Sequence, residues 1–266
     1  MNRGWMSIVA AGLMACVCLV AGCASTGFGG KKPLRVGITT DYPPLAFKQG
    51  GKVVGVEAEL GRRLALELGT PVQFIELKWR DQIPYLLAGK TDIIMSGMSI
   101  TDKRKLRIAF TEPYMRNGLM AMCRTEDKDF YATPDDILQS RANIGVKEGT
   151  TGDNFVQQNI QGARRVSVAS PADAAYELRR RRIDLYIHDG HAVAWLVSDN
   201  EADFTGMWTP MTEEALGWGI RRTDAKFLER VNTILRTWKE DGTLRTALDR
   251  WMPYADEVEF LSTPAP

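Results

Sequence analysis

Soft metal ligands are scarce in this chain of 266 residues: it has two histidines, His188 and His191, and four cysteines. A zinc centre needs three or four such ligands converging. The "HDGH" stretch at residues 188–191 supplies two imidazoles and a carboxylate, but its first histidine falls at a strand end, and no partner elsewhere completes the set. No metal is expected. Net charge is also nearly absent, with 34 basic against 33 acidic residues, so no global field draws the chain to nucleic acid. The arginine run at residues 179–182 ends a predicted helix, where cations suit the negative end of the dipole and stay solvated. There is no G-x-S-x-G, no Ser-His-Asp order and no Walker loop, so neither nucleophilic hydrolysis nor nucleotide chemistry is indicated, and no cofactor is expected. No internal repeat or long low-complexity segment appears. What remains is an ordinary globular composition, 44% hydrophobic and 25% charged, long enough for one large domain or two smaller lobes.

The few cysteines are informative by position. Arg3 precedes a nearly uncharged apolar run over residues 8–20, which leads into "LVAGC" at residues 19–23. A charged start, an apolar core and small residues before a break describe a secretory signal. The run also approaches spanning length, so an uncleaved anchor is the competing reading. The Val-Ala-Gly-Cys order resembles a bacterial lipobox, which implies a signal peptide at residues 1–22 and Cys23 as the lipidated first residue of the mature chain. Residues 23–33, with "ASTGFGGKKP", then form a tether, and the protein is held outside the cytoplasm, periplasmic or on the cell surface, on a membrane through acyl chains. Cys16 and Cys18 leave with the signal. That leaves Cys123, in "LMAMCR", as a buried strand thiol with no intramolecular disulfide.

Along the mature chain, residues 34–40 read as a buried strand running into "DYPPLAF", where two prolines forbid helix. Residues 57–69 carry Leu60, Leu64 and Leu68 on one helical stripe, closed by Gly69 and Pro71. Residues 72–77 alternate as a strand. A short helix follows in "DQIPYLLAGK", then a third strand at residues 91–96. This order predicts a parallel sheet with helices on both faces. A second series begins with a helix capped by Thr133 with Pro134 at its first position. It continues through "ANIGVKEGT", a helix in "TGDNFVQQNI", a strand in "RRVSVAS", a helix capped by Ser170, a strand in "IDLYIHD" and a helix in "GHAVAWLVSD". The chain closes with a strand in "EALGWGIRR" and two helices. Two α/β units therefore stand in series.

The segment "SGMSITDKRKLRIAF", residues 96–110, is chemically distinct. Small and hydroxyl residues run into Lys103, Arg104, Lys105 and Arg107. In open α/β sheets ligands bind beyond the carboxyl ends of strands, and an arginine fork with backbone N–H groups suits a carboxylate. Lys103, Lys105 and Arg107 read as solvated surface.

The ordered set of "DYPPLAF", "GGKVVGVEAELGRRLALELG", "WRDQIPYLLAGKTDIIMSGMSITDKRKLRIAFTEPY", "IGVKEGTTGDNF", "RRIDLYIHD" and "LGWGIRR" resembles the bacterial extracellular solute-binding proteins of the polar amino-acid class, family 3, over roughly residues 33–252. The resemblance implies an α/β, two-lobed periplasmic-binding-protein fold, each lobe a sheet flanked by helices, joined by two hinge strands near residues 114–118 and 212–216. It implies a first lobe in two parts, residues 34–116 and 214–266, around a second lobe at 117–213. By the same resemblance Tyr42 covers the ligand and Trp79 completes an aromatic clamp, though either also suits a plain core position. Ser96 and Gly97 meet the ligand ammonium. Ser99 touches ammonium and carboxylate, Arg104 grips the α-carboxylate, and Thr150 and Thr151 add a helix start to it. Asp189 pairs with the α-ammonium. Lys147 and His188 stand where glutamine-type pockets reach the side chain, while Thr39 replaces the acid such pockets carry. Lys147 favours an acidic ligand, and Arg80 reads as solvated. The expected function is a monomeric, lipid-anchored receptor that binds a polar or acidic, glutamine- or glutamate-like amino acid and delivers it to the permease of an ABC importer. It is not expected to be an enzyme. The alternatives are a cyclohexadienyl dehydratase on the same fold, which needs a general acid with a raised pKa, and a sensory or orphan binding lipoprotein.

Overall fold

The computed structural model describes residues 30–253. Cys23, the apolar run and most of the tether lie outside the described residues. Among the described residues no helix is long and apolar enough to cross a membrane.

The first sheet orders its strands as Val72–Glu76, Leu34–Ile38, Ile93–Ile94, Gly219–Ile220 and Ala109–Phe110. Its first three strands are parallel, and Gly219–Ile220 runs antiparallel between its neighbours. The second sheet orders Arg164–Val168, Asn143–Lys147, Leu185–Asp189, Leu119–Arg124 and Phe204–Met207. Here too three strands are parallel, while Leu119–Arg124 opposes both of its neighbours. The sheets are thus mixed rather than wholly parallel. The cause is topological: the antiparallel members lie just beyond the crossings, where the chain enters a sheet from the other lobe instead of through a helical crossover. The crossings form a two-stranded antiparallel ribbon, Met115–Asn117 against Glu214–Leu216. The single strand expected in "EALGWGIRR" is two, one in this ribbon and one in the first sheet, broken at Gly217 and Trp218.

The helices follow their sequence signals. Val56–Glu67 buries Leu60 and Leu64 completely, each side chain contributing about 1.5–3 kcal/mol by leaving water. Pro134–Leu138 begins with a reciprocal capping box between Thr133 and Asp136, and Pro171–Arg179 is capped by Ser170. One apolar core lies between the first sheet and the Val56–Glu67, Ala225–Glu240 and Thr243–Trp251 helices. The second sheet buries a core on each face. Cys123 is buried and free, and burial pushes its thiol up to about 11, so it stays unreactive.

Glu57 ties these parts together. Fully buried in the first turn of its helix, it accepts from the Gly97 N–H at 2.7 Å, the Tyr114 hydroxyl at 2.7 Å and the Trp218 indole at 2.9 Å. Those donors belong to the strand-end loop at the cleft, the start of the first crossing and the end of the second. Burial pushes the Glu57 carboxyl up to about 7, against the pull of these hydrogen bonds.

Candidate ligand cleft

Residues from both lobes line one narrow cleft: Thr39, Tyr42, Trp79, Gly97, Ser99 and Arg104 from the first, Lys147, Thr150, Thr151, His188 and Asp189 from the second. Of the sequence-expected binding residues, only Ser96 lies behind this lining. Its buried hydroxyl accepts the Thr39 N–H at 2.9 Å, and Thr39 Oγ1 accepts from Gln82 Nε2 at 2.9 Å. Ser96 therefore fixes the loop that ends the first strand.

Gly97 has to be glycine. It sits at φ 61°, and a Cβ there would come within 2.5 Å of Leu45 Cδ1 and 2.7 Å of Tyr42 Cε1. Two residues on, Ser99 bridges to Leu216 of the second crossing. Thr101 then caps a short helix, Asp102–Lys105, by accepting the Arg104 N–H at 3.3 Å. This turn folds the Arg104 side chain back: Nη1 donates to the Ser99 carbonyl at 2.8 Å, and the guanidinium lies 5.1 Å from the Trp79 ring centroid. Lys103, Lys105 and Arg107, its neighbours in the run, are exposed. Burial lowers the Arg104 pKa while Asp189, Glu214 and Tyr42 oppose the shift, and a guanidinium remains charged under such a shift.

From the second lobe, the Thr151–Asn159 helix points its first turn at the cleft. Thr150 caps it, accepting the Asp153 N–H at 3.3 Å and donating to the Lys147 carbonyl at 2.7 Å. Asp189 ends the Leu185–Asp189 strand in a buried position, where Oδ1 accepts from Asn117 Nδ2 at 2.6 Å and Oδ2 from the Tyr42 hydroxyl. Burial alone would push this carboxyl up. The adjoining His188 and His191 imidazoles and the Tyr42 hydroxyl more than offset it, holding Asp189 well below the usual carboxylate range. His188 Nδ1 lies 2.7 Å from the Asp189 backbone nitrogen and 3.3 Å from Asp189 Oδ2, while its Nε2 is buried with no hydrogen-bond partner among the described residues. Tyr42 packs against both imidazoles, with centroids 5.1 and 5.4 Å away.

Three contacts cross between the lobes at the mouth. Lys147 Nζ and Asp41 Oδ1 pair at 2.7 Å, the Trp79 indole donates to the Gly149 carbonyl at 3.0 Å, and the Phe47 and Trp195 rings lie 5.6 Å apart. Trp79 thus forms a cleft wall and also packs on the buried Leu86, Ile94, Met98 and Ile108 cluster, whereas Arg80 is exposed.

Sequence reasoning missed two residues on the crossing ribbon. Asn117 and Glu214 are directly opposed in its register, so their side chains share a face. Asn117 is fully buried and donates to Asp189. Glu214 Oε1 accepts from the Thr212 hydroxyl at 3.0 Å, and burial, then the Asp189 charge, raise its pKa against nearby hydroxyls of Ser99, Thr212 and Thr151. The signal for both was available: they are polar residues inside the segments expected to be hinges.

A family model described as bacterial extracellular solute-binding proteins, family 3, matches residues 34–254. An L-cystine-binding protein of Escherichia coli is 27% identical over 250 residues, covering 90% of this chain and 93% of the relative. The ABC transporter arginine-binding protein 1 of the same organism is 29% identical over 245 residues, covering 88% and 98%. Among solved structures, an ancestral amino-acid-binding protein described as a precursor of cyclohexadienyl dehydratase superposes with a TM-score of 0.78 at 32% identity, covering 83% of this chain and 95% of that one.

Proposed function

The chain belongs to family 3 of the bacterial extracellular solute-binding proteins, and on that premise we propose that its cleft binds a polar α-amino acid for delivery to an ABC importer. One observation carries this reading: Arg104 from the first lobe and Asp189 from the second line the same cleft. A zwitterion needs a fixed cation and a fixed anion a few ångströms apart. Here they come from different lobes, so the bound ligand favours the closed arrangement by differential affinity. Ser99 and the start of the Thr151–Asn159 helix stand by for the carboxylate, Asp189 for the ammonium, and Trp79 and Tyr42 for the aliphatic part.

For the side chain, the buried His188 Nε2, which has no partner among the described residues, offers a hydrogen-bonding position that suits a neutral polar group such as a carboxamide. The acidic alternative drew on Lys147, but that ammonium is paired with Asp41. A glutamine-like side chain thus fits better than a glutamate-like one. The relatives' names, cystine- and arginine-binding, support the polar class. A thermal-shift screen of the purified protein against the natural amino acids tests the reading: one or a few polar amino acids raise the midpoint. No shift with any of them, together with turnover of prephenate, would replace the receptor with an enzyme. We also propose attachment to a membrane through lipidated Cys23. Cys23→Ser should move the protein from the membrane to the soluble fraction, and retention of the variant in membranes would favour an uncleaved anchor.

A further inference from the structure

We propose that Glu214 is a specificity-determining residue, a second carboxylate on the crossing ribbon, behind the cleft lining near Asp189, that favours a ligand's cationic end and discriminates against acidic ligands. The inference rests on the amino-acid reading above. It begins with the crossing ribbon. Because Glu214 and Asn117 oppose each other there, and the Asn117 amide ends on Asp189 Oδ1, the shared face of the ribbon is the one that meets Asp189.

The two oxygens of Glu214 differ. Oε1 is held by the Thr212 hydroxyl, whereas Oε2 is buried and makes no hydrogen bond among the described residues. The hydroxyls of Ser99 and Thr151, one from each lobe and both on the cleft wall, lie close enough to the carboxyl to pull its pKa down against burial, yet Oε2 itself has no hydrogen-bond partner among the described residues. A buried carboxylate oxygen with unspent lone pairs is costly, and an N–H or ammonium of a ligand is the group that would satisfy it. Arg116 on the partner strand stands opposite Ala215, on the other face of the ribbon from Glu214, and pairs with Glu213 at 3.0 Å.

Charge counting gives the direction. With both carboxyls ionised, Asp189 and Glu214 contribute two negative charges and Arg104 one positive, the Lys147–Asp41 pair cancels itself, and His191, lowered to about 4 by burial, is neutral at pH 7.5. These groups together are therefore one charge negative. A neutral zwitterion leaves that excess unchanged, a cationic amino acid removes it and an acidic one doubles it. The raised pKa of Glu214 agrees with two carboxyls close enough to feel each other.

The test measures dissociation constants of the purified full chain for glutamine, glutamate, lysine and arginine by titration calorimetry at pH 7.5, for wild type and Glu214→Gln. Wild type should bind its best neutral or cationic ligand at least about tenfold more tightly than glutamate, since like-charge juxtaposition costs several kcal/mol. Glu214→Gln should narrow that ratio by about tenfold, chiefly by improving glutamate. If the glutamine variant does not fold, Glu214→Met supplies the same readout at similar volume. An unchanged ratio in a variant that still binds overturns this inference alone. Absence of binding by wild type to any amino acid overturns the amino-acid reading and this inference with it.

Discussion

Replacing Arg104 by alanine is the sharpest probe of the cleft. The guanidinium is placed before any ligand arrives, by the Thr101 cap, the 2.8 Å bond to the Ser99 carbonyl and the Trp79 face 5.1 Å away. Binding therefore orders little that is not already ordered, and the ion pair contributes nearly in full. Truncation leaves the ligand carboxylate buried without a counter-charge, a loss of about 3–5 kcal/mol. At tenfold per ~1.4 kcal/mol that is about a hundredfold to a few thousandfold in Kd. Ligand at ~1,000 times Kd stabilises wild type by about 4 kcal/mol, which for a chain of this size is about 8–16 °C in midpoint. At the same ligand concentration a variant weakened ~1,000-fold retains about 0.4 kcal/mol, or roughly 1–2 °C. Arg104→Lys should fall between, keeping the charge and losing the fork. Each protein is compared with its own ligand-free midpoint, which removes any change in intrinsic stability. A shift in Arg104→Ala equal to that of wild type would refute the assignment of the carboxylate to this corner.

Two further outcomes follow from the site's geometry. Trp79→Ala removes the face under Arg104 and the bond to the Gly149 carbonyl. The loss of ~1–3 kcal/mol should appear in calorimetry as weakening of about fivefold to a hundredfold, with Trp79→Phe recovering part of it; affinity unchanged in Trp79→Ala would place the indole outside the clamp. The second outcome concerns pH. Glu57 rises from 4.5 to about 7, so between those values the folded chain holds a proton that the unfolded chain has lost, and stability falls as pH rises. His191 is lowered from 6.5 to about 4 by burial, so there the unfolded chain holds the extra proton and stability rises with pH. The two slopes oppose each other between pH 4.5 and 6.5. His191→Asn should expose the Glu57 slope, about 1.4 kcal/mol lost per pH unit in thermal or urea unfolding, and a flat profile in that variant would contradict the buried-carboxyl account.

The sequence carried the α/β order of both lobes because each element bears its own local signal. The stripe at Leu60 and Leu64, the Thr133–Pro134 start and the alternation in residues 72–77 needed no tertiary information. The positions gathered in the cleft came with the family resemblance, and it is consistent with ligands meeting strand ends and helix starts in this fold that Gly97, Thr150 and Asp189 each sit at one. Three things were not legible. Strand direction in the mixed sheets depends on where the chain re-enters a lobe, which periodicity does not encode. Lys147 appeared available for a ligand because its partner Asp41 lies 106 residues away in sequence. Glu214 and Asn117 were passed over because hinge segments were read for flexibility, although alternation along a ribbon already assigns one face of each strand to the cleft.

On the proposed reading, the charges assigned to the ligand also oppose closure in its absence. The contacts across the mouth are modest: an ion pair with Asp41 partly exposed, worth about 0–1 kcal/mol, an indole hydrogen bond of about 1 kcal/mol and an aromatic contact of about 0.5–1.5 kcal/mol. Against them stands the burial of Arg104 and Asp189, each losing several kcal/mol of hydration on an order-of-magnitude scale, a loss that the bonds from Asn117 and, across the lobes, Tyr42 offset only in part at Asp189. A zwitterion reverses that balance because it pairs both charges at once, whereas a ligand with only one charged end pairs one and leaves the other buried. It follows that removing both charges should uncouple closure from ligand. The double variant Arg104→Met, Asp189→Asn keeps side-chain volume and leaves the Asn117–Tyr42 corner able to hydrogen-bond. It should bind amino acids poorly yet show, without ligand, the smaller radius of gyration by solution X-ray scattering that is expected of wild type with ligand. If the double variant stays as extended as ligand-free wild type, then desolvation of these two groups is not what holds the lobes apart.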